Sequence, residues 1–240
     1  QTVIAFGPDD VWFAGNGVVR WNGQQFIPVP IPQEVWGQYR SNKIWGASSR
    51  DVYIVGDGGS IAHFDGSTWR RVESGTTLNI NDVWGAAVGQ GGEHLVSAVA
   101  WNRSQSQGHE LLRLSPTGAS RLVTPGLPYG LSGLWFVPDR IAYVVGGAIA
   151  RKRSLVDSTS WQRYAYGEVT TYFINAVHGQ GLNNVVAAGA FGEVLHFNGM
   201  TWRSYIAETG MPGNYGSVKI HGRHVMAVGT GARVVNCMRR

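Results

Sequence analysis

The sequence predicts an all-β chain: a β-propeller of about six blades of antiparallel sheet, the last blade lacking its outer strand. Three observations carry this prediction: the composition, a repeat of roughly 40 residues, and the turn signals inside that repeat. The 240 residues include 34 Gly and 10 Trp but only 15% charged side chains, a profile of short strands and tight turns and not of long amphipathic helices. An apolar residue followed by an aromatic residue or His recurs as Ala5-Phe6, Ile44-Trp45, Val83-Trp84, Leu134-Trp135, Val177-His178 and Ile220-His221. The spacings are 39, 39, 51, 43 and 43 residues, and six copies make six blades. They divide one predicted domain at about 1–37, 38–77, 78–126, 127–169, 170–212 and 213–240.

Within a repeat, the aromatic step marks the first strand. The second strand is a run of successive apolar residues closed by Gly, over 11–15, 52–56, 142–146, 185–189 and 225–229, with 95–99 as the variant in the third copy. An unbroken apolar strand needs cover on both faces, which one repeat cannot supply, so blades must stack radially. Gly15, Gly17, Gly58, Gly59, Gly192 and Gly231 follow the second strand and are expected to reverse the backbone there. The third strand ends in Asn22-Gly23, Asp65-Gly66 or Asn198-Gly199, dipeptides that accept the positive φ of a two-residue hairpin. Phe26, Trp69 and Trp202 then open the fourth strand and are expected to be buried between blades. The sixth repeat has sequence for three strands only, the last over 233–238 from Arg233 to Met238. Its outer edge is expected to be covered by a protein partner or by further residues, or else guarded by the charges of Arg239 and Arg240.

The run from Ile44 through Trp69, which contains Trp45-Gly46, Asp51-Val52-Tyr53 and His63-Phe64-Asp65-Gly66, resembles the propeller repeats common in large bacterial secreted proteins. More distantly it is similar to photosystem II assembly factor and Asp-box (sialidase-like) propellers. The resemblance implies a propeller architecture over most of the chain, and the location expected with it is secreted, periplasmic or cell-surface. It does not imply sialidase chemistry. The Asp-box places one residue between Asp and Gly whereas Asp65 and Gly66 are adjacent, and no arginine triad with a Tyr/Glu pair can be assigned.

Candidate ligand contacts come from alignment on the Trp-Gly step. Seven residues before that Gly position stand Tyr39, Leu78, Tyr129, Tyr172 and Tyr215. These links lead from an outer strand to the next inner strand, so the tyrosines are expected around one mouth of the propeller. There they would either bind a sugar, peptide or aromatic ligand or wedge the blades together. Arg40, Asn42, Asn81 and Asn175 lie nearby in sequence. Trp101 opens a long insertion in the third repeat that also holds the sequon Asn102-Arg103-Ser104, and such insertions often carry function.

Other classes are excluded on the residues. His63 and His196 occupy one repeat position in different blades, and His178 and His221 another, so the histidines are spread by symmetry instead of converging on a metal. No nucleophile elbow or phosphate loop precedes a helix, so no catalytic residue and no cofactor is expected. The net charge is +5, but the basic residues sit in short runs at Arg70-Arg71, Arg151-Lys152-Arg153 and Arg239-Arg240, which argues against nucleic acid. No apolar run is long enough to span a bilayer, and Cys237 has no partner for a disulfide. The chain opens on Gln1 without a visible leader, which points to a processed or excised segment. The leading expectation is a non-enzymatic recognition or assembly scaffold that binds a protein partner through one face. The alternatives are a glycan-binding propeller and a degenerate sialidase-like hydrolase.

Overall fold

The computed structural model describes residues 2–102, 108–123, 125–209, 213–231 and 234–238. Gln1, the centre of the third-repeat insertion with Arg103 and Ser104, Arg233, Arg239 and Arg240 lie outside the described residues. Blade one comprises β1 (Thr2–Gly7), β2 (Asp10–Ala14), β3 (Val18–Trp21) and β4 (Phe26–Pro28). Blade two comprises β5 (Ser41–Ser48), β6 (Asp51–Gly56), β7 (Ile61–Phe64) and β8 (Trp69–Arg71). Blade three comprises β9 (Ile80–Val88), β10 (Glu93–Trp101), β11 (His109–Ser115) and β12 (Gly118–Arg121). Blade four comprises β13 (Gly133–Val137), β14 (Ile141–Val145), β15 (Ile149–Lys152) and β16 (Gln162–Arg163). Blade five comprises β17 (Ile174–Gly181), β18 (Asn184–Gly189), β19 (Val194–Phe197) and β20 (Trp202–Ser204). Blade six comprises β21 (Tyr215–His221), β22 (His224–Gly229) and β23 (Val234–Met238).

Strand order in every sheet follows chain order and every pairing is antiparallel, so the chain is a six-bladed β-propeller. Among the described residues blade six has three strands, as its sequence predicts, and β23 forms its edge. The chain forms two compact units, Gln1–Leu122 with blades one to three and Val123–Arg240 with blades four to six. In the first unit β1 adjoins β5 and β5 adjoins β9; in the second, β13 adjoins β17 and β17 adjoins β21. The first strands of successive blades are therefore neighbours within each unit.

The second strands of blades two to five are buried on both faces, as their unbroken apolar runs require, whereas β2 and β22 expose Phe13, Met226 and Val228. Val52, Tyr53, Ile54 and Val55 of β6 are all buried, and so are Val185 through Ala188 of β18. Even-numbered and odd-numbered residues point to opposite faces. Val52 and Ile54 therefore join the cluster with Trp12 and Ala14 of blade one, while Tyr53 and Val55 join the cluster with Val83 and Val96 of blade three.

The Trp-Gly step has a packing explanation. The aromatic residue of one blade lies on the glycine of the next: Phe6 on Gly46 and Trp45 on Gly85 in the first unit, Trp135 on Gly179 in the second. A Cβ on Gly179 would stand 2.6, 2.7 and 2.8 Å from three atoms of the Trp135 ring. The glycine closing the second strand serves close approach. Gly56 and Gly189 have φ of −163° and −159°, ordinary extended backbone, so reversal is not their task. A Cβ on Gly56, Gly146, Gly189 or Gly229 would collide with a link carbonyl, that of Arg40, Gly130, Phe173 or Asn214 respectively. Reversal falls to Gly58, Gly59, Gly192 and Gly231, whose φ values are positive, whereas Gly15 and Gly17 do not share that conformation.

The hairpins form where the sequence predicts them, but only their glycines take positive φ, 90° at Gly23, 95° at Gly66 and 100° at Gly199, while Asn22, Asp65 and Asn198 do not. Asn22, Asp65 and Asn198 each accept two backbone N–H bonds at Oδ1, from Gln24 and Gln25, Ser67 and Thr68, and Met200 and Thr201. Trp69 is buried against Trp12 and Phe64. Trp202 is half-buried, edge-on to Tyr143 at 5.8 Å. Phe26 departs from the expected burial: it is exposed, because no blade of its own unit lies on that face of blade one.

Candidate ligand-binding face

The aligned link residues do not share one environment. Tyr39, Tyr129 and Tyr172 are exposed, while Leu78 is buried. Tyr215, expected at the mouth, is 0% exposed and sits in the core cluster with Val186, Ala188 and Val194. It is no ligand contact. The reason is register: β21 starts at Tyr215 itself, which pairs with Gly229 before a bulge at Ser217, so the side chain lies on the inner sheet face.

The polar residues beside the links hold the blades together. Asn42 Nδ2 donates to the Ile80 carbonyl of the next blade at 3.1 Å and to Asp57 Oδ1 at 2.9 Å. Asn175 Nδ2 donates to the Tyr215 carbonyl at 2.9 Å, and Ser132 Oγ, at the same repeat position, to the Ile174 carbonyl at 2.6 Å. Asn81 Nδ2 donates to the Trp101 carbonyl at 3.0 Å. These amides close blade-to-blade and strand-to-loop contacts and are spent there.

In the first unit, Tyr39 covers Gly58, whose N–H donates to Asn79 Oδ1 at 2.9 Å, and the Asn79 carbonyl accepts the Trp101 N–H at 2.9 Å. Tyr39 and half-buried Trp101 thus border the same turn, with Arg40 exposed beside it. A neighbouring open cleft of about 470 Å³ is lined by Arg71, Glu73, Ser74, Thr76, Glu110 and Arg121. Its charges are paired, Arg71 with Glu73 at 2.9 Å and Arg121 with Glu110 at 2.5 Å. The other basic runs are broken up as well. Arg70 reaches Asp65 at 3.4 Å, Arg151 stacks on Tyr164, and buried Lys152 is bonded to both the carbonyl and the carboxylate of Asp157.

The second unit builds the more distinctive site. Tyr129 and Tyr172 flank the turn at Gly147: its N–H donates to the Tyr129 carbonyl at 3.0 Å, and Gly147 lines a cleft with Ile149, Tyr164, Tyr166, Thr170 and Tyr172. Beside the cleft the Tyr172 ring lies 5.2 Å from that of Phe191. Phe191 is 66% exposed and has φ of 56°, a left-handed conformation rare for a bulky side chain and costing on the order of 1–2 kcal/mol. The equivalent residue of blade two is Gly58, φ 62°, on which Tyr39 rests. The sequence signal was therefore present: Ala190-Phe191-Gly192 aligns with Asp57-Gly58-Gly59, and a Phe stands where the repeat uses Gly.

The Tyr172 backbone is fixed by a chain of bonds anchored on buried Glu193. Its N–H donates to Thr170 Oγ1 at 3.1 Å, Thr170 Oγ1 donates to Glu193 Oε2 at 2.7 Å, and Ser204 Oγ donates to Glu193 Oε1 at 2.6 Å. Two exposed aromatic rings are thus presented on a rigid support.

The histidines occupy equivalent structural places. His63 Nε2 bonds Asp51 at 2.7 Å and His196 Nε2 bonds Asn184 at 2.9 Å, in each case joining the third strand to the start of the second. Burial pushes the Cys237 thiol up from its ordinary value. Among the described residues no helix is long and apolar enough to cross a membrane.

No family model matches the chain, and no curated protein matches it. Solved structures do. YCF48 bound to a D1 peptide superposes with a TM-score of 0.73 at 17% identity, over 100% of this chain and 77% of that one. PorZ, a surface component of the type-IX secretion system of Porphyromonas gingivalis, gives 0.71 at 13% identity, over 99% of this chain and 38% of that one. A protein described as a putative gluconolactonase gives 0.62 at 15% identity, over 96% of this chain and 86% of that one. At these identities the likeness is one of fold. The resemblance to photosystem II assembly factor propellers read from the blade-two repeat holds at that level.

Proposed function

We propose that this chain is a non-enzymatic recognition propeller that binds a peptide segment of a protein partner, with the second-unit face around Tyr129, Tyr172 and Phe191 as its site. The observation that carries the reading is Phe191, a phenylalanine held exposed in a left-handed backbone at a position where the repeat uses glycine. Backbone strain of this kind persists where the surrounding structure over-determines it, and it concentrates at ligand clamps. Flat aromatic rings on a rigid support suit peptide side chains at low entropic cost. A propeller of similar fold, YCF48, has been solved with a D1 peptide, which supports the class of ligand.

The test is a displayed peptide library selected on the immobilised chain, followed by titration of the selected peptides by fluorescence anisotropy. Tyr172→Ala and Phe191→Gly are each expected to weaken binding by about tenfold or more, a loss of about 1.4 kcal/mol typical of a central contact. Peptides that bind both variants as tightly as the parent chain overturn the site. A glycan array that yields ligands dependent on Tyr172, with no peptide selected, replaces the peptide reading with the lectin one.

A further inference from the structure

A cleft of about 380 Å³ opens between blades one and two, and both of its walls belong to the first unit. Register builds the blade-one wall. Trp12, Arg20 and Ile27 stand opposite one another on β2, β3 and β4, so they share the sheet face that turns to blade two. Phe64 meets them from blade two, its ring centroid 5.5 Å from that of Trp12, and Ser49 and Arg50 close the cleft from the turn between β5 and β6. The volume falls in the range of small-molecule sites, about 300–1,000 Å³.

Its two arginines exceed what the repeat needs at their positions. Arg20 holds the place of His63 and His196, and Asp10 that of Asp51 and Asn184. In blades two and five the His ring bonds that partner and reaches no further. Arg20 satisfies the same partner with Nε alone, which donates to Asp10 Oδ1 at 2.6 Å, while Trp12 Nε1 donates to the same oxygen at 2.9 Å. Its guanidinium carbon lies 5.8 Å from the Trp12 ring centroid, and its two Nη groups make no hydrogen bond among the described residues. The Arg20 side chain is 38% exposed where that of His63 is 7%. Arg50 holds the place of Asp9 and Asn183. A Cβ on Gly66 would stand 2.9 and 3.0 Å from Cβ and Cγ of Arg50, as one on Gly23 or Gly199 would collide with Asp9 or Asn183. The stem of Arg50 is thus laid across the hairpin, and its guanidinium has no ion-pair partner among the described residues.

We infer that this cleft is a second binding site, for a monocarboxylate carried on an aromatic body. The carboxylate accepts hydrogen bonds from the free Nη edge of Arg20 and from Arg50, groups whose planar forks match its two oxygens. The aromatic body lies against Trp12, Phe64 and Ile27. Charge selects a single negative charge: Asp10 neutralises Arg20, so Arg50 leaves the cleft with one unbalanced positive charge. Asp10 and the Trp12 ring also hold the Arg20 guanidinium in place before any ligand arrives, which lowers the ordering cost of binding. The same chemistry is found in a free aromatic acid and in a peptide that ends in an aromatic residue.

Calorimetric titration of the full chain with 3-phenylpropanoate, at about pH 8 where an introduced histidine is neutral, tests the inference. A dissociation constant of about 0.1–1 mM is expected for a ligand of this size, with the uncharged 3-phenylpropanamide about tenfold weaker or worse. Arg20→His and Arg50→Asn install the residues that blade five uses at these positions, His196 and Asn183. Each should keep the parent's melting temperature and weaken 3-phenylpropanoate about tenfold or more. Tyr172→Ala, in the second unit, should leave its affinity unchanged. A hexapeptide ending in phenylalanine separates the two sources. Binding as tight as that of the free acid, lost when the C-terminus is amidated, supports a peptide end, and binding of the free acid alone supports a small molecule. Absence of binding by both up to about 10 mM overturns the inference. So does an amide that binds as well as the acid, an affinity unchanged in both arginine variants, or an affinity lost in Tyr172→Ala. Phenyl phosphate bound more tightly than 3-phenylpropanoate overturns the assignment to a monocarboxylate.

Discussion

Gly179→Ala tests whether the aromatic residue of one blade sets its distance from the next. The added Cβ would stand 2.6–2.8 Å from three carbons of the Trp135 ring, where carbon atoms normally meet at about 3.5–4.0 Å. About 1 Å of overlap must be absorbed. Trp135 is buried and stacked against buried Tyr143, with ring centroids 6.4 Å apart, so the ring has little room to retreat. Overpacking of a tight core costs about 1–3 kcal/mol, and replacing a strand glycine returns about 0.5–1 kcal/mol of backbone entropy. The net expected loss is about 1–2 kcal/mol, a fall in melting temperature of about 2–8 °C for a chain of this size. Urea unfolding followed by tryptophan fluorescence and calorimetry measures it. Gly118→Ala is the control, because nothing lies within 4 Å of its Cβ position in β12, and it should be neutral or slightly stabilising. In a Trp135→Ala background the Gly179→Ala penalty should vanish, since the two changes share one space. A Gly179→Ala chain as stable as the parent, or a penalty that persists without the indole, would refute the packing argument.

Four further outcomes are expected. Lys152→Ala should cost about 3 kcal/mol in a chemical unfolding titration, the low end for a broken buried pair because Asp157 is partly exposed; Lys152→Met, which keeps the stem against Trp161, should cost less. The Asp65 carboxylate is held well below the usual range by the Thr68 N–H first and then the Ser67 hydroxyl and N–H. Its folded pKa being the lower one, its contribution is complete above about pH 4 and is lost as pH falls further, so Asp65→Asn, which retains the acceptor used by Asn22 and Asn198, should flatten the acid limb of a stability profile measured by urea titration. Trp69→Ala should cost about 3–5 kcal/mol by the same assay, and Trp202→Ala less, since Trp202 is only half-buried. In hydrogen exchange of the 240-residue chain, amides of β23 that face β22 should be protected and the alternate ones should exchange fast; uniform protection would mean that a strand covers the outer edge.

Much of the fold could be read from the chain because a repeat writes the same physics six times. The unbroken apolar run of 52–55 announces a strand covered on both sides, and Asp65-Gly66 announces a hairpin, whatever the neighbours are. Blade count, strand order and the three strands described in blade six follow from such local signals. Repeat position, however, does not determine exposure. Tyr172 and Tyr215 align when counted back from the repeat's Trp-Gly step, yet one is exposed and the other buried, because in the sheets Tyr215 pairs with Gly229 as Ile174, and not Tyr172, pairs with Gly189. Phe26 and Trp69 also align, yet Trp69 is buried against Trp12 of the preceding blade and Phe26 is exposed. The same holds for Asn42 and Asn175, polar in sequence and so candidates for binding, but committed in the fold to carbonyls about 40 residues away.

Phe191 lies between these cases. Its replacement of a repeat glycine is visible in the sequence, but its left-handed backbone and the ring of Tyr172 beside it belong to the folded chain. By itself, then, the sequence determined the β-propeller, its blades and its turns, since hydrogen-bonded strands and hairpins depend on residues close together in the chain. Tertiary structure decided which of the repeated aromatic and polar residues face solvent, because exposure is set by what the neighbouring blade places against them.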